Sequence, residues 1–300
     1  MSLRDTLGGT GVALVTPFDA NSKIDFASLE KVIDHVIDGG VEYIVSLGTT
    51  GETPTLDKEE KIDIIQFTFE KVKARVPVVV GVGGNNTQAL IRDLETLPLK
   101  EAVAVLSASP YYSKPSQEGI FQHYKVFAEA SPKPVILYNV PGRTGRNMTA
   151  ATTVRLANEV PNIAGMKEAS GDMQQCMEIM RDKPLDFLVV SGDDALCLAQ
   201  FACGMHGVIS VAANAFPKEF SEMVRHCLQG DFKTARSVHY PLLEAYDLLF
   251  VENNPAGVKA FMAEMGLLQN FLRLPLTPMG DMSMGAIRRF LENARSKNLA

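Results

Sequence analysis

Residues 134–168 read PVILYNVPGRTGRNMTAATTVRLANEVPNIAGMKE. Two apolar runs, Pro134–Asn139 and Ile163–Lys167, flank a helical pattern over roughly 150–159. The runs hardly alternate between apolar and polar residues, as expected of parallel strands buried on both faces. Strand, helix and strand in this order form one βαβ unit.

The same rhythm continues outward on both sides. Further apolar runs lie at Gly11–Val15, Tyr43–Leu47, Pro77–Val82, Ala102–Ser107, Phe187–Ser191 and Gly207–Val211, giving eight in all. Phe26, Leu29, Val32, Ile33, Val36 and Ile37 form one helical stripe that stops at Gly39-Gly40. Asp57 and Glu60 have capping-box spacing ahead of Ile62, Ile65, Phe69 and Val72. Weaker helical patterns cover roughly 86–96, 117–130, 172–182 and 194–203. A βα unit every 25–35 residues, eight times over, predicts an α/β fold, the (β/α)8 TIM barrel. The competing doubly wound sheet usually has about five to seven strands and needs a phosphate loop at its switch point. After about residue 212 the strands stop, and helical patterns run at about 216–229, 231–248, 255–266 and 283–297. Asn254 reads as a cap before Pro255 at a first helical position. The expected division is a catalytic barrel over residues 1–230 and a C-terminal helical appendage over 231–300.

The 300 residues suffice for a sizeable core, with 46% hydrophobic and 21% charged residues. Lys+Arg 29 against Asp+Glu 35 gives a net charge of −6, which argues against a generic binder of nucleic acid or acidic membranes. Cys176, Cys197, Cys203 and Cys227 show no paired spacing, so free thiols in a reducing compartment are expected. The start, MSLRDTLGG, lacks the apolar segment of a signal peptide, and no run of about 18 apolar residues predicts a membrane span. A soluble, cytoplasmic protein is expected.

In a barrel the chemistry sits at the C-terminal ends of the strands. Lys167 ends the sixth run, so its stem starts inside an apolar strand. Desolvation there disfavours the ammonium and frees an amine that can form a Schiff base with a carbonyl substrate. The alternative is a snorkelling lysine paired with Glu168. Tyr138 ends the adjacent fifth run and could relay protons to that amine, or be a core tyrosine. Thr49 and Thr50, between Gly48 and Gly51, form either an anion nest sized for a carboxylate or an ordinary turn. Arg143, after Pro141-Gly142, could bind a carboxylate bidentately or be a solvated loop arginine. Asp193-Asp194 has no third ligand at metal spacing, and the five histidines are scattered, so no metal site is expected. Gly81-Val82-Gly83-Gly84 lacks the third glycine of a dinucleotide fingerprint, so no cofactor is expected.

These residues carry a resemblance. GTTGE at 48–52, SPYYSKPSQEG at 109–119, YNVPGRTG at 138–145, GMKEASGD at 165–172, SGDD at 191–194, GVISVAAN at 207–214 and VENNP at 251–255 are similar to the dihydrodipicolinate synthase family. That family belongs to the N-acetylneuraminate lyase group of pyruvate-dependent class I aldolases. The resemblance implies that Lys167 forms the Schiff base with pyruvate, and that Tyr138, Thr49 and Tyr112 make a proton relay, with Tyr112 reaching into a neighbour's site. It implies that Thr50 binds the pyruvate carboxylate, that Arg143 receives the carboxylate of L-aspartate 4-semialdehyde, and that Gly192 and Ile209 line the pocket. The implied product is 4-hydroxy-tetrahydrodipicolinate, on the way to diaminopimelate and lysine, made without cofactor or metal by a homotetramer that is a dimer of dimers. Sugar-acid aldolases, lyases or dehydratases of the same group, and a non-catalytic barrel that senses keto acids, are the alternatives. In lysine-inhibited relatives the effector cleft carries an asparagine, a glutamate and two histidines. Here these positions hold Asn85, Ala89, Lys58 and Lys61, which implies weak or absent lysine feedback unless Glu59 or Glu60 substitutes.

Overall fold

The computed structural model describes residues 3–296. Eight strands form a closed parallel barrel in sequential order: β1 (Gly9–Ala13), β2 (Tyr43–Ser46), β3 (Val78–Gly81), β4 (Ala104–Ala108), β5 (Val135–Asn139), β6 (Ile163–Glu168), β7 (Leu188–Ser191) and β8 (Gly207–Ser210). Each expected run holds a strand, with ends shifted by a few residues. The first strand starts earlier than its apolar run because Gly9 to Val12 pair with Gly207 to Ser210. Val15, beyond its end, donates instead to the Asn214 side chain at 3.2 Å.

Strand alternation divides the core in two. Tyr43, Val45, Val79, Leu106, Ile136, Val190 and Ile209 fill the barrel interior, while a larger layer packs between barrel and helices. Gly11 faces Tyr43 inside the barrel, where a side chain on Gly11 would collide with the Tyr43 ring at 2.2 Å.

The helices follow the expected pattern with informative exceptions. Asp57 and Glu60 form the reciprocal capping box, at 2.8 Å and 3.1 Å, that opens the helix Lys58–Val72. The pattern over 194–203 gives only the helix Cys197–Ala202, because the Asp193 carboxylate holds the preceding turn through Ala195 N and Leu196 N. The pattern over 231–248 is broken into Phe232–His239 and Leu243–Phe250 by a 3-10 turn, Tyr240–Leu242, which contains Pro241. Asn254 does not cap the helix Ala256–Glu264, since its side chain turns toward the barrel mouth. The last helix is Asp281–Ser296; residue 297 of the expected span lies outside the described residues.

The C-terminal helices join the outer core through edge-to-face contacts among Phe216, Phe261 and Phe290. The four cysteines are free thiols. No helix among the described residues is long and apolar enough to cross a membrane.

Candidate active site

A cavity of about 970 Å³ opens at the C-terminal ends of the strands, bordered by Thr49, Thr50, Tyr138, Arg143, Lys167 and Gly192 among others. Alternation along β6 explains how the lysine enters it. After the register shift that skips Ala164, Met166 packs in the outer layer, so Lys167 points inward and Glu168 outward. Lys167 is only 5% exposed. Its Cα pairs with that of Tyr138 across β5 and β6, and its Nζ stands 4.4 Å from the Tyr138 ring centroid.

Glu168 is not the partner of Lys167. Its carboxylate accepts from Asn139 Nδ2 (3.1 and 3.2 Å), Gln175 Nε2 (3.0 Å) and the Ser170 backbone N–H (2.7 Å). Burial pushes the Glu168 carboxyl up, and the Ser170, Asn139 and Gln175 hydrogen bonds oppose the shift. The outer pair Asn139 and Glu168 therefore locks the same register that sets the inner pair Tyr138 and Lys167. No carboxylate lies within ion-pair distance of Lys167 among the described residues.

The turn after β2 supplies the threonines. Thr49–Gly51 is a 3-10 turn, pinned by Thr53 Oγ1, which donates to the carbonyls of Leu47 and Gly48 at 2.8 Å each. Thr50 is 2% exposed, and its Oγ1 accepts from Asn254 Nδ2 at 3.0 Å. Two residues on, Glu52 adopts a left-handed conformation (φ 53°) and forms a fully buried ion pair with Lys259. Burial pushes the Lys259 ammonium down to about 8, against the pull of Glu52.

Arg143 lies in the short helix Pro141–Thr144 that follows β5. Its Nη2 donates to Asn253 Oδ1 (3.2 Å) and to the Asn254 carbonyl (3.4 Å). No carboxylate among the described residues pairs with it, so its remaining donors face the cavity mouth without a fixed anion.

Two expected residues stand elsewhere. Tyr112 is 89% exposed, with φ 67°, and does not border its own chain's cavity, which its neighbour Tyr111 does. Ile209 packs inside the barrel with Tyr138 and Val190 and is not part of the cavity wall. Asp193 and Asp194 are occupied by backbone. Asp194 accepts from Val211 N and Ala212 N (2.8 Å to the latter), and burial pushes its carboxyl up to about 6. Asn254 and the Glu52–Lys259 pair were not foreseen from the sequence. Their signal was there in VENNP at 251–255 and in a lysine amid the apolar residues 256–263, but neither identifies its partner.

The sequence model described as the Dihydrodipicolinate synthetase family matches residues 6–294. A protein of Parabacteroides distasonis named 4-hydroxy-tetrahydrodipicolinate synthase is 48% identical over 291 residues, covering 97% of this chain and 98% of its own. Its namesake in Flavobacterium psychrophilum is 50% identical over 273 residues, covering 91% and 93%. A solved structure described as the first monomeric dihydrodipicolinate synthase variant superposes with a TM-score of 0.94 at 36% identity, covering 97% of this chain and 98% of that one.

Proposed function

The chain belongs to the Dihydrodipicolinate synthetase family, and from that premise we propose that it condenses pyruvate with L-aspartate 4-semialdehyde to give 4-hydroxy-tetrahydrodipicolinate, the first committed step toward diaminopimelate and lysine. The observation that carries this reading is the inward-facing Lys167, without a carboxylate partner and set against Tyr138 by strand register.

The Lys167 amine attacks the keto carbon of pyruvate, and loss of water leaves an imine. The imine draws electrons from the methyl group, which gives up a proton and becomes the nucleophilic carbon of an enamine. That carbon attacks the aldehyde of the second substrate. The amine of the semialdehyde then adds to the former keto carbon and expels Lys167, which closes the ring and frees the enzyme. Tyr138, with Thr49 and Tyr112, carries the protons that these steps release and require. Thr50 donates to the pyruvate carboxylate. Arg143 receives the carboxylate of the semialdehyde at the mouth of the cavity.

Barrel residues up to about 230 carry the chemistry, and the helices beyond them extend the barrel. Tyr112 completes the site of a second copy, which calls for a dimer, and the working form, as the family resemblance implies, is a homotetramer built as a dimer of such dimers, in the cytoplasm. The exposure of an aromatic side chain on a strained loop residue supports that reading.

Borohydride reduction in the presence of pyruvate tests the proposal. It should add one reduced pyruvyl group to Lys167, detected by peptide mass, and Lys167→Ala should remove both the adduct and turnover. An adduct on another lysine would refute the assignment. Turnover with aspartate semialdehyde, compared with 2-keto-3-deoxy sugar acids, identifies the second substrate. Arg143→Ala should weaken use of the semialdehyde about ten- to a hundredfold while pyruvate trapping persists.

A further inference from the structure

The segment between the helices Leu243–Phe250 and Ala256–Glu264 does more than connect them. Asn254 is almost fully buried and borders the cavity. Its Nδ2 donates to Thr50 Oγ1 at 3.0 Å, and its Oδ1 is buried with no partner. A buried amide acceptor without a partner is a cost to the fold, so stability alone does not account for an asparagine here. The turn that holds it also meets Arg143 through Asn253 Oδ1 and the Asn254 carbonyl.

The same two segments are fastened a second time. Two residues after Thr50, Glu52 makes its buried ion pair with Lys259, five residues after Asn254. Lys259 also donates to the Phe271 carbonyl at 2.9 Å, and Glu52 accepts from Arg273 N at 3.0 Å. The turn after β2 is thereby tied to the C-terminal segment at Thr50 itself and again two residues later at Glu52.

A hydroxyl has one proton to donate and accepts through its lone pairs. With Asn254 donating to Oγ1, the Thr50 proton is left for a ligand, and the ligand it suits is an acceptor. We infer that Asn254, held in place by the Glu52–Lys259 pair, is a positioning residue that sets the Thr50 hydroxyl as a donor and so makes the site selective for a 2-keto acid over an uncharged ketone. This rests on the proposed binding of pyruvate by Lys167 and Thr50. An aspartate at 254 would reverse the arrangement, since its carboxylate accepts the Thr50 proton and repels an anion.

The test is borohydride trapping on Lys167 over a range of ketone concentrations, with pyruvate and with butanone, which has the same methyl ketone but neither charge nor acceptor where the carboxylate stands. Half-saturation for pyruvate should rise about tenfold in Asn254→Ala and further in Asn254→Asp, with butanone changed by less than about twofold. In the steady state the loss should appear in KM for pyruvate and not in kcat. If the alanine variant does not fold, Asn254→Ser, which keeps a polar side chain without adding a charge, carries the test in its place. Equal loss for both ketones, or none for either, overturns the inference, because general loosening of the site does not sense the charge. Absence of an adduct on the unmodified chain overturns the Schiff-base reading and this inference with it, whereas a normal adduct with unchanged discrimination in the variants overturns only this one.

Discussion

The stem of Lys167 passes directly over Gly192. A β-carbon placed on Gly192 would stand 2.8 Å from Lys167 Cε and 2.6 Å from Ala169 Cβ. The backbone here is fixed, since Gly192 N donates to the Glu168 carbonyl at 2.7 Å. Glycine at 192 is required by this close approach, and it leaves the lysine one path into the cavity.

Gly192→Ala should therefore disable the site without unfolding the barrel. The added methyl displaces the amine, and a misplacement of about 1 Å at a reacting atom can cost about a hundredfold in rate. The rate of pyruvate trapping on Lys167 should fall to that extent, with the circular dichroism spectrum unchanged. Trapping at the unmodified rate would mean that the lysine does not react along this path.

Assembly can be tested through complementation. If Tyr112 serves the neighbour's site, Lys167→Ala and Tyr112→Ala chains are each nearly inactive for different reasons. Mixed by unfolding and refolding, they should recover about a quarter of full activity, since half of random dimers are mixed and each holds one intact site. Failure to recover activity, with mixed oligomers present, would place Tyr112 in the site of its own chain, and an active Tyr112→Ala chain would place it outside the proton relay.

The sequence and the structure agree where local patterns decide and part where long-range contacts do. Eight apolar runs became eight strands because each is buried on both faces, and Tyr138 and Lys167 met because adjacent strands end at one height. Glu168 could not be placed from its neighbour alone, because alternation sends it to the opposite side of the sheet from Lys167. Asn254 beside Pro255 has the local signature of a cap, yet its amide bonds Thr50, 204 residues away. Tyr112 shows the limit of a single chain, since its exposed side chain does not border its own chain's cavity.

His206 gives a pH prediction. Its Nδ1 accepts from Val189 N at 2.9 Å, so the folded state needs that nitrogen unprotonated. Burial, with Lys183 and Arg4 nearby, pushes its pKa from 6.5 down to about 4. The unfolded chain takes up the proton first, so the stability due to neutral His206 is full above about 6.5 and is lost as pH falls toward 4. The urea midpoint should drop between pH 7 and pH 4.5, and it should drop less in His206→Gln, whose amide oxygen can still accept from Val189. Parallel curves for the two proteins would exclude His206 as the source.

The last prediction concerns feedback by lysine. Asn85 is exposed beside the Tyr111 carbonyl, at 3.4 Å, while Ala89 in the helix Thr87–Thr96 offers no carboxylate. Lys58 and Lys61 lie in the first turn of the helix Lys58–Val72. Of the two glutamates that could substitute, Glu60 is committed: it caps Asp57 and takes a bidentate pair from Arg273 at 2.5 and 2.6 Å, which holds its carboxyl below the usual range. Only the exposed Glu59 is left to serve. A charge-assisted hydrogen bond lost from a bound ammonium costs about 1.5–3 kcal/mol, and about 1.4 kcal/mol is tenfold in affinity. Two lysine cations near the ligand's ammonium groups add repulsion. Inhibition by lysine should thus be at least about ten- to a hundredfold weaker than in a relative with the glutamate and histidines, read as initial rate against lysine at saturating pyruvate. Ala89→Glu with Lys58→His and Lys61→His should restore part of it. Strong inhibition of the unmodified protein at sub-millimolar lysine would show that lysine binds without these groups.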